Sequence, residues 1–421
     1  MNNELRYNNY HKHTHYSNLR TLDVIVKPID YINRAKELGH NTYFTTEHGW
    51  GGNVWEAYTL CKENNLKMIF GVEAYYVDDR LEKDRGNYHI ILIAKNKEGY
   101  KDINRIISKA NTTGFHYKPR IDLELLLSLN PNNVYITTAC IASRLFKTEN
   151  YEEEFLIPIH NHFKNHLFLE VQSHNENAQI EYNKKILKLQ EKHNIEIIHA
   201  NDSHYIKSED RIYRDMFLNA KGMNYGTEDS FLLDYPSYDE ILNRYKVQGV
   251  LSEIQVKKAL NNTLIFDECE DLGFTKEFKI PKVIEGDSNE EYKKIIAKEW
   301  NIKKKNKDKS RRKEYINEIK NEVKTVIDCG MTDYFILDYL IVKRAVEKYN
   351  AIITRSGRGS AVSFITNNIL GLTEVDRLKA PIKLYPSRFM TAERILKSKS
   401  LPDIDLNFAD VEPVIKASKD I

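Results

Sequence analysis

From its start to about residue 206 the chain alternates short β-branched and aromatic runs with amphipathic segments, and this restricts the fold more than any other feature. The strand candidates are TYFTT (42–46), MIFGVEAYYV (68–77), YHIILIA (88–94), VYITTA (134–139), LFLEVQ (167–172) and IEIIHA (195–200). Between them lie helical patterns such as PIDYINRAKELG (28–39), YKDINRIISKAN (100–111) and NAQIEYNKKILKLQEKHN (177–194). Alternating β and α units predict parallel pairing, in a barrel or a doubly wound sheet.

Composition narrows the class further. A chain of 421 residues accommodates two or three domains, and 63 basic against 61 acidic residues leave no global field to select a partner. The four cysteines, Cys61, Cys140, Cys269 and Cys329, stand far apart without a CxxC pair. That excludes a disulfide framework or zinc ribbon and suits a reducing cytosol, so a cytoplasmic protein is expected. No apolar run approaches the length of a membrane span, and no membrane partner is expected.

Beyond residue 207 the pattern turns helical. Residues 290–330 predict two helices joined by a basic stretch from Lys303 to Lys313 with one acidic residue, read as a solvated connection. Gly330 is placed to stop the second helix. A helix over 335–349 then leads into a strand at AIIT (351–354), a glycine turn and a further helix.

The chemistry gathers at two places. HKHTHYS (11–17) puts three histidines in five residues, and on an extended strand His13 and His15 share a face. In parallel βα folds functional residues collect at the carboxyl ends of strands. Those ends supply Glu47 and His48, Glu73, Cys140, and Asn201 to His204, all but Asn201 and Ser203 being side chains that ligate divalent metals. Near the other end, AIITRSGRGSAVSFITNNILG (351–371) places Gly357 and Gly359 before a helix opening at Ser360, the outline of a phosphate cradle. LPDIDLNFAD (401–410) follows, with Asp403 and Asp405 on one face of an extended segment. Paired carboxylates so placed suit a Mg²⁺ pair bridging substrate phosphates.

Several of these stretches resemble a known family. HKHTHYS, FGVEAYYV, NYHIILIAKNKEGYKDINRIIS, HYKPRID, TTACIAS and ANDSHYIKSED are similar to the PHP (polymerase and histidinol phosphatase) domain that heads the bacterial replicative DNA polymerase III alpha subunit, a C-family polymerase. The GRGS turn, SRFMTAER and PDID resemble the palm of the same family. The fold this implies is α/β: a distorted (β/α)7 PHP barrel over 1–270, a basic helical connector over 271–330 and an incomplete α+β palm over 331–421.

Carried over residue by residue, the resemblance implies metal ligands at His13, His15, Asp23, His48, Glu73, His89, Cys140, Asp202 and His204. They would hold two or three divalent ions (Zn, Mn or Fe). Glu47 stands where members of the family carry Asp, and His89 lies at the start of its strand, so that assignment rests on the resemblance. In the palm it implies nucleotide contacts from Gly357, Gly359, Ser360, Arg388 and Arg394, with Asp403 and Asp405 as two of three catalytic carboxylates on Mg²⁺. The third carboxylate and the fingers are expected outside these residues.

The function implied is template-directed DNA synthesis on primer-template and deoxynucleoside triphosphates. It would be carried out with a C-terminal polymerase part and replisome subunits. Asp202 and His204 would serve a 3′–5′ exonuclease or phosphoesterase site in the PHP domain. A stand-alone PHP nuclease or phosphatase, and a non-catalytic scaffold of a split replicase, are the alternatives.

Overall fold

The structure is a computed structural model that describes residues 5–223, 231–275, 280–354, 359–382, 384–388, 390–391, 393 and 404–421. It divides into two compact units, Met1–Phe274 and Thr275–Ile421.

The first unit is built on one curled, mixed sheet. Its strands are β1 (Thr42–His48), β2 (Lys67–Tyr76), β3 (Tyr88–Ala94), β4 (Phe115–His116), β5 (Lys118–Ile121), β6 (Val134–Thr137), β7 (Leu167–Val171) and β8 (Ile197–His199). The order runs β4-β5-β2-β3-β6-β7-β8, with β1 also paired to β2. β1 with β2, β6 with β7 and β7 with β8 are parallel, whereas β3 is antiparallel to both β2 and β6. The all-parallel expectation therefore fails at β3. Residues 77–87 contain no helix, and a parallel return needs a crossover that usually carries one.

Alternation along the strands separates two cores. Met68, Phe70, Val72, Ile90, Leu92, Val134, Ile136, Leu169 and Ile197 face the outer core with the helices. Phe44, Ile69, Ile91, Ile93, Tyr135, Phe168 and Ile198 face inward with Tyr10 and Phe266. A sheet buried on both faces explains why its strands read as nearly continuous apolar runs.

The segment before β1 joins the two ends of this curled sheet. Lys12 bridges Ser203 in parallel, with His13 N–H donating to the Ser203 carbonyl at 2.8 Å. On its other side the Lys12 N–H donates to Thr46 Oγ1 at 3.0 Å.

The second unit packs helices Ser288–Lys303, Arg312–Asp328, Thr332–Tyr349 and Ile365–Leu370 around Tyr292, Tyr315, Ile319, Phe335, Ile336, Phe364 and Ile369. The basic stretch, read as solvated, is in part drawn inward. Lys307 Nζ pairs with Asp376 at 2.6 Å and Lys303 Nζ donates to the Asn368 carbonyl at 2.7 Å. Local capping decides this, because Asn368 and its neighbours end a short helix whose carbonyls need donors.

Candidate metal centre

Residues 11–13 are extended and pinned between Ser203 and Thr46, so His11 and His13 share one face. His15 does not join them. Thr14 Oγ1 accepts from Tyr16 N–H and opens a 3-10 helix at His15–Leu19, which ends the alternation after His13. His15 is half-buried and lies outside the three groups of converging ligand atoms found among the described residues. The pair is thus His11 and His13, where the sequence reading took His13 and His15. The repeat of imidazoles at 11, 13 and 15 offers two equivalent pairs, and only the position of the cap distinguishes them.

Converging on the same point are Glu73, Asp202 and three further imidazoles. His11 Nε2 lies 3.2 Å from both Glu73 Oε1 and Asp202 Oδ1. His13 Nε2 lies 3.3 Å from Glu73 Oε2 and 3.2 Å from Asp202 Oδ1. His48 Nδ1 and His89 Nδ1 reach Glu73 at 2.6 and 2.8 Å, and His204 Nε2 reaches Asp23 Oδ2 at 3.3 Å. The antiparallel β3 explains His89. Opposite Tyr75 in register, the start of this strand lies at the same edge as the ends of its antiparallel neighbours. Cys140, Asp23, His48, His89, Asp202 and His204 line one cavity of about 290 Å³.

Two buried carboxylates orient the imidazoles: Glu170, which the sequence reading passed over, and Glu47, which it offered as a metal ligand. Glu170 accepts from His11 Nδ1 at 2.9 Å, Tyr10 Oη at 2.7 Å and Gln172 Nε2 at 2.8 Å. That contact leaves His11 Nε2 free to face the cleft. Glu47 accepts from Thr14 N–H and Oγ1, Ser17 Oγ and Asn53 Nδ2, tying HKHTHYS to β1 as an anchor. The Ser17 hydroxyl in turn accepts from His13 Nδ1 at 3.1 Å. Position gave the only signal for Glu170, an inward residue of a strand that is otherwise apolar.

The electrostatics are those of buried carboxylates ringed by imidazoles. Burial alone would raise the carboxyls of Glu73 and Asp202. The imidazoles of His89, His48 and His11 around Glu73, and of His11, His13 and His204 around Asp202, hold both well below the usual carboxylate range. Burial opposes protonation of His13 too, yet hydrogen bonds to Asp202 and Glu73 push it up to about 9. Burial, reinforced by the charge of His13, pushes His48 down to about 4. The backbone bears strain at the same place: Asp202 and Ala139, which precedes Cys140, have φ of 54° and 57°.

A second group lies in the other unit. Ile353 and Phe408 form an antiparallel bridge, with Thr354 N–H donating to the Asn407 carbonyl at 3.0 Å. This register brings Asp405 against Gly359, where a Cβ would stand 3.1 Å from Asp405 Oδ2. Gly359 has φ +60°, and the adjacent Ser360 is buried with an unpartnered Oγ. The expected helix opening at Ser360 is displaced. A 3-10 turn occupies Ala361–Ser363, and the helix starts at Ile365. Its first amides are already taken, since buried Glu322 accepts from Ile365 and Thr366 N–H at 3.0 and 2.8 Å and pairs with Arg377. That helix start is therefore no part of a phosphate cradle. Arg388 is exposed in the turn Pro386–Arg388. Gly357, Arg394 and Asp403 lie outside the described residues.

Comparison with known proteins shows what this arrangement is similar to. Residues 9–174 match the PHP domain, and residues 288–416 match the bacterial DNA polymerase III alpha NTPase domain. DNA polymerase III subunit alpha of Borreliella burgdorferi is 29% identical over 428 residues, covering 96% of this chain and 35% of that protein. Along nearly its whole length the chain is similar to bacterial DNA polymerase III alpha subunits. The Aquifex aeolicus alpha subunit is 28% identical, with 94% of this chain and 36% of that protein covered. For Helicobacter pylori strain 26695 the figures are 25%, 97% and 36%. The chain thus spans about a third of the length of these alpha subunits. Among the described residues no helix is long and apolar enough to cross a membrane.

Proposed function

We propose that the cleft of the first unit is a metal-dependent phosphodiesterase site that trims single-stranded or mismatched DNA 3′ ends. The observation that carries this is a set of buried ligand atoms turned on one point without hydrogen-bond partners: His11 Nε2, His13 Nε2, His48 Nδ1, His89 Nδ1, Asp202 Oδ1 and both Glu73 oxygens. Unpaired buried polar atoms are costly, and so many at one place fit a cation better than any arrangement of side chains. The ligands would be these residues with Asp23, Cys140 and His204, an imidazole-rich set that suits Zn, Mn or Fe. A divalent ion bound there supplies Lewis acidity toward a phosphoryl oxygen and activates water near neutral pH.

The chain's own residues do the rest. Glu170 and Ser17 fix the ring orientations, and Glu47 fixes the segment that carries them. Lys118, whose Nζ lies 4.2 Å from the Tyr75 ring centroid, and Lys147 add positive charge to the cavity lining for a phosphate. Hydrolysis of 3′-labelled single-stranded DNA should stop with chelator and return with Mn²⁺. Equal rates in chelator would remove the proposal.

The pH dependence of loading follows from the imidazoles. His11 and His13 are raised above their ordinary value by Asp202, Glu170 and Glu73 despite burial, and His13 stands at about 9. Below that pH the metal-free cleft holds protons that loading must displace. Affinity should therefore rise with pH through about 9 and fall steadily in acid. Metal titration from pH 6 to 10 checks this.

The apposition of Gly359 and Asp405 supports a second role for the chain, in template-directed DNA synthesis. Gly359 and Ser360 would face the triphosphate of a deoxynucleotide, and Asp405 with Asp403 would hold Mg²⁺ against it. Primer and template, a C-terminal polymerase part and other replisome subunits would be the partners. Primer extension by this chain with the complementary polymerase segment should disappear in Asp405→Ala while cleft hydrolysis persists. Extension that survives Asp405→Ala would dismiss this role.

A further inference from the structure

The end of β7 delivers one more imidazole to the cleft. His174 is 3% exposed and lines the same cavity as His48, His89, Asp202 and His204. Neither ring nitrogen has a partner. The edge of the ring meets Phe231, with centroids 4.8 Å apart.

Its backbone is held by a buried amide network. Gln248 Nε2 donates to the carbonyls of His174 at 2.6 Å and Gln172 at 3.1 Å. Asn183 Nδ2 donates to Gln172 O and to Gln248 Oε1, both at 2.8 Å, and Gln179 Nε2 donates to Asn183 Oδ1 at 2.9 Å. So much fixed polar structure behind a ring with two idle nitrogens points to a function on the ring's open side.

His174 lines the cavity of about 290 Å³ together with Lys118 and Lys147, so it borders the space a substrate would fill. Burial pushes the ring down to about 4, leaving a neutral imidazole with one N–H donor and one acceptor.

We propose that His174 is a substrate-binding residue whose ring N–H donates to a phosphoryl oxygen of a phosphoester seated in the cleft. The inference rests on the hydrolytic reading of that cleft for its ligand class, but its test does not require turnover.

Inorganic phosphate is titrated into Mn²⁺-loaded protein and followed by ³¹P relaxation, with metal content measured alongside. His174→Phe keeps the bulk and the packing on Phe231 while removing both nitrogens. Phosphate binding should weaken about tenfold at unchanged metal content. His174→Asn, which restores a donor, should recover part of the loss. If His174→Phe does not fold, His174→Ala with added imidazole gives the same comparison. Loss of metal from these variants would make His174 a ligand and overturn the inference, as would unaltered phosphate affinity. Wild-type protein that binds phosphate through His174 yet cleaves no phosphodiester would defeat the hydrolytic proposal and leave this one standing.

Discussion

Asp202→Asn is expected to lower phosphodiester hydrolysis by at least about 100-fold while the protein stays folded. Asp202 Oδ1 is the atom that His11 Nε2 and His13 Nε2 both approach at 3.2 Å, so it sits at the centre of the ligand set. Amide replacement removes the negative charge and leaves the volume nearly unaltered. The backbone favours the variant, because φ at this position is 54° and Asn tolerates the left-handed region well. Circular dichroism should stay close to wild type while the rate collapses. His204→Ala should lower the rate similarly, since His204 joins Asp23 to the group. Activity persisting in both variants would place the hydrolysis elsewhere.

The second large effect is on stability. Glu322 is 3% exposed and accepts from the two first amides of helix Ile365–Leu370, from Thr366 Oγ1 and from Arg377. Burial raises its carboxyl, and the Arg377 charge only partly offsets that. Removing one partner of a buried ion pair leaves the other uncompensated, which costs about 3–5 kcal/mol. Glu318 also bonds Arg377, at 2.6 Å, and tempers the loss. Glu322→Ala should therefore destabilise the second unit by about 3 kcal/mol in urea unfolding. Glu322→Gln should cost less, because it keeps an acceptor. A change under about 0.5 kcal/mol, the range of ordinary surface substitutions, would show that the contacts contribute little.

Much of the first unit was legible because its strands are buried on both faces and bounded by turn residues. The six strand segments read from the sequence all contain strands, within a few residues. Direction was not legible at β3, since periodicity carries no information on whether a strand returns parallel or antiparallel. That one reversal also hid the reason for His89. At HKHTHYS the period of two was right, but the phase of the pair depended on where a 3-10 helix begins. Glu170 was read past because a lone acidic residue in an apolar run gives no hint of what it bonds, and Glu47, offered as a ligand, instead anchors Thr14. At the glycine turn, the sequence outlined a helix ready for phosphate. It could not show that Glu322, more than forty residues earlier, fills the amides of that helix.

The central claim is that the metal centre is organised by His11 with His13, and metal content across three proteins tests it most directly. Elemental analysis of the wild type should find two or three divalent ions per chain. His11→Ala should lose most of them, whereas His15→Ala should retain them. Metal retained in His11→Ala and lost from His15→Ala would contradict the account.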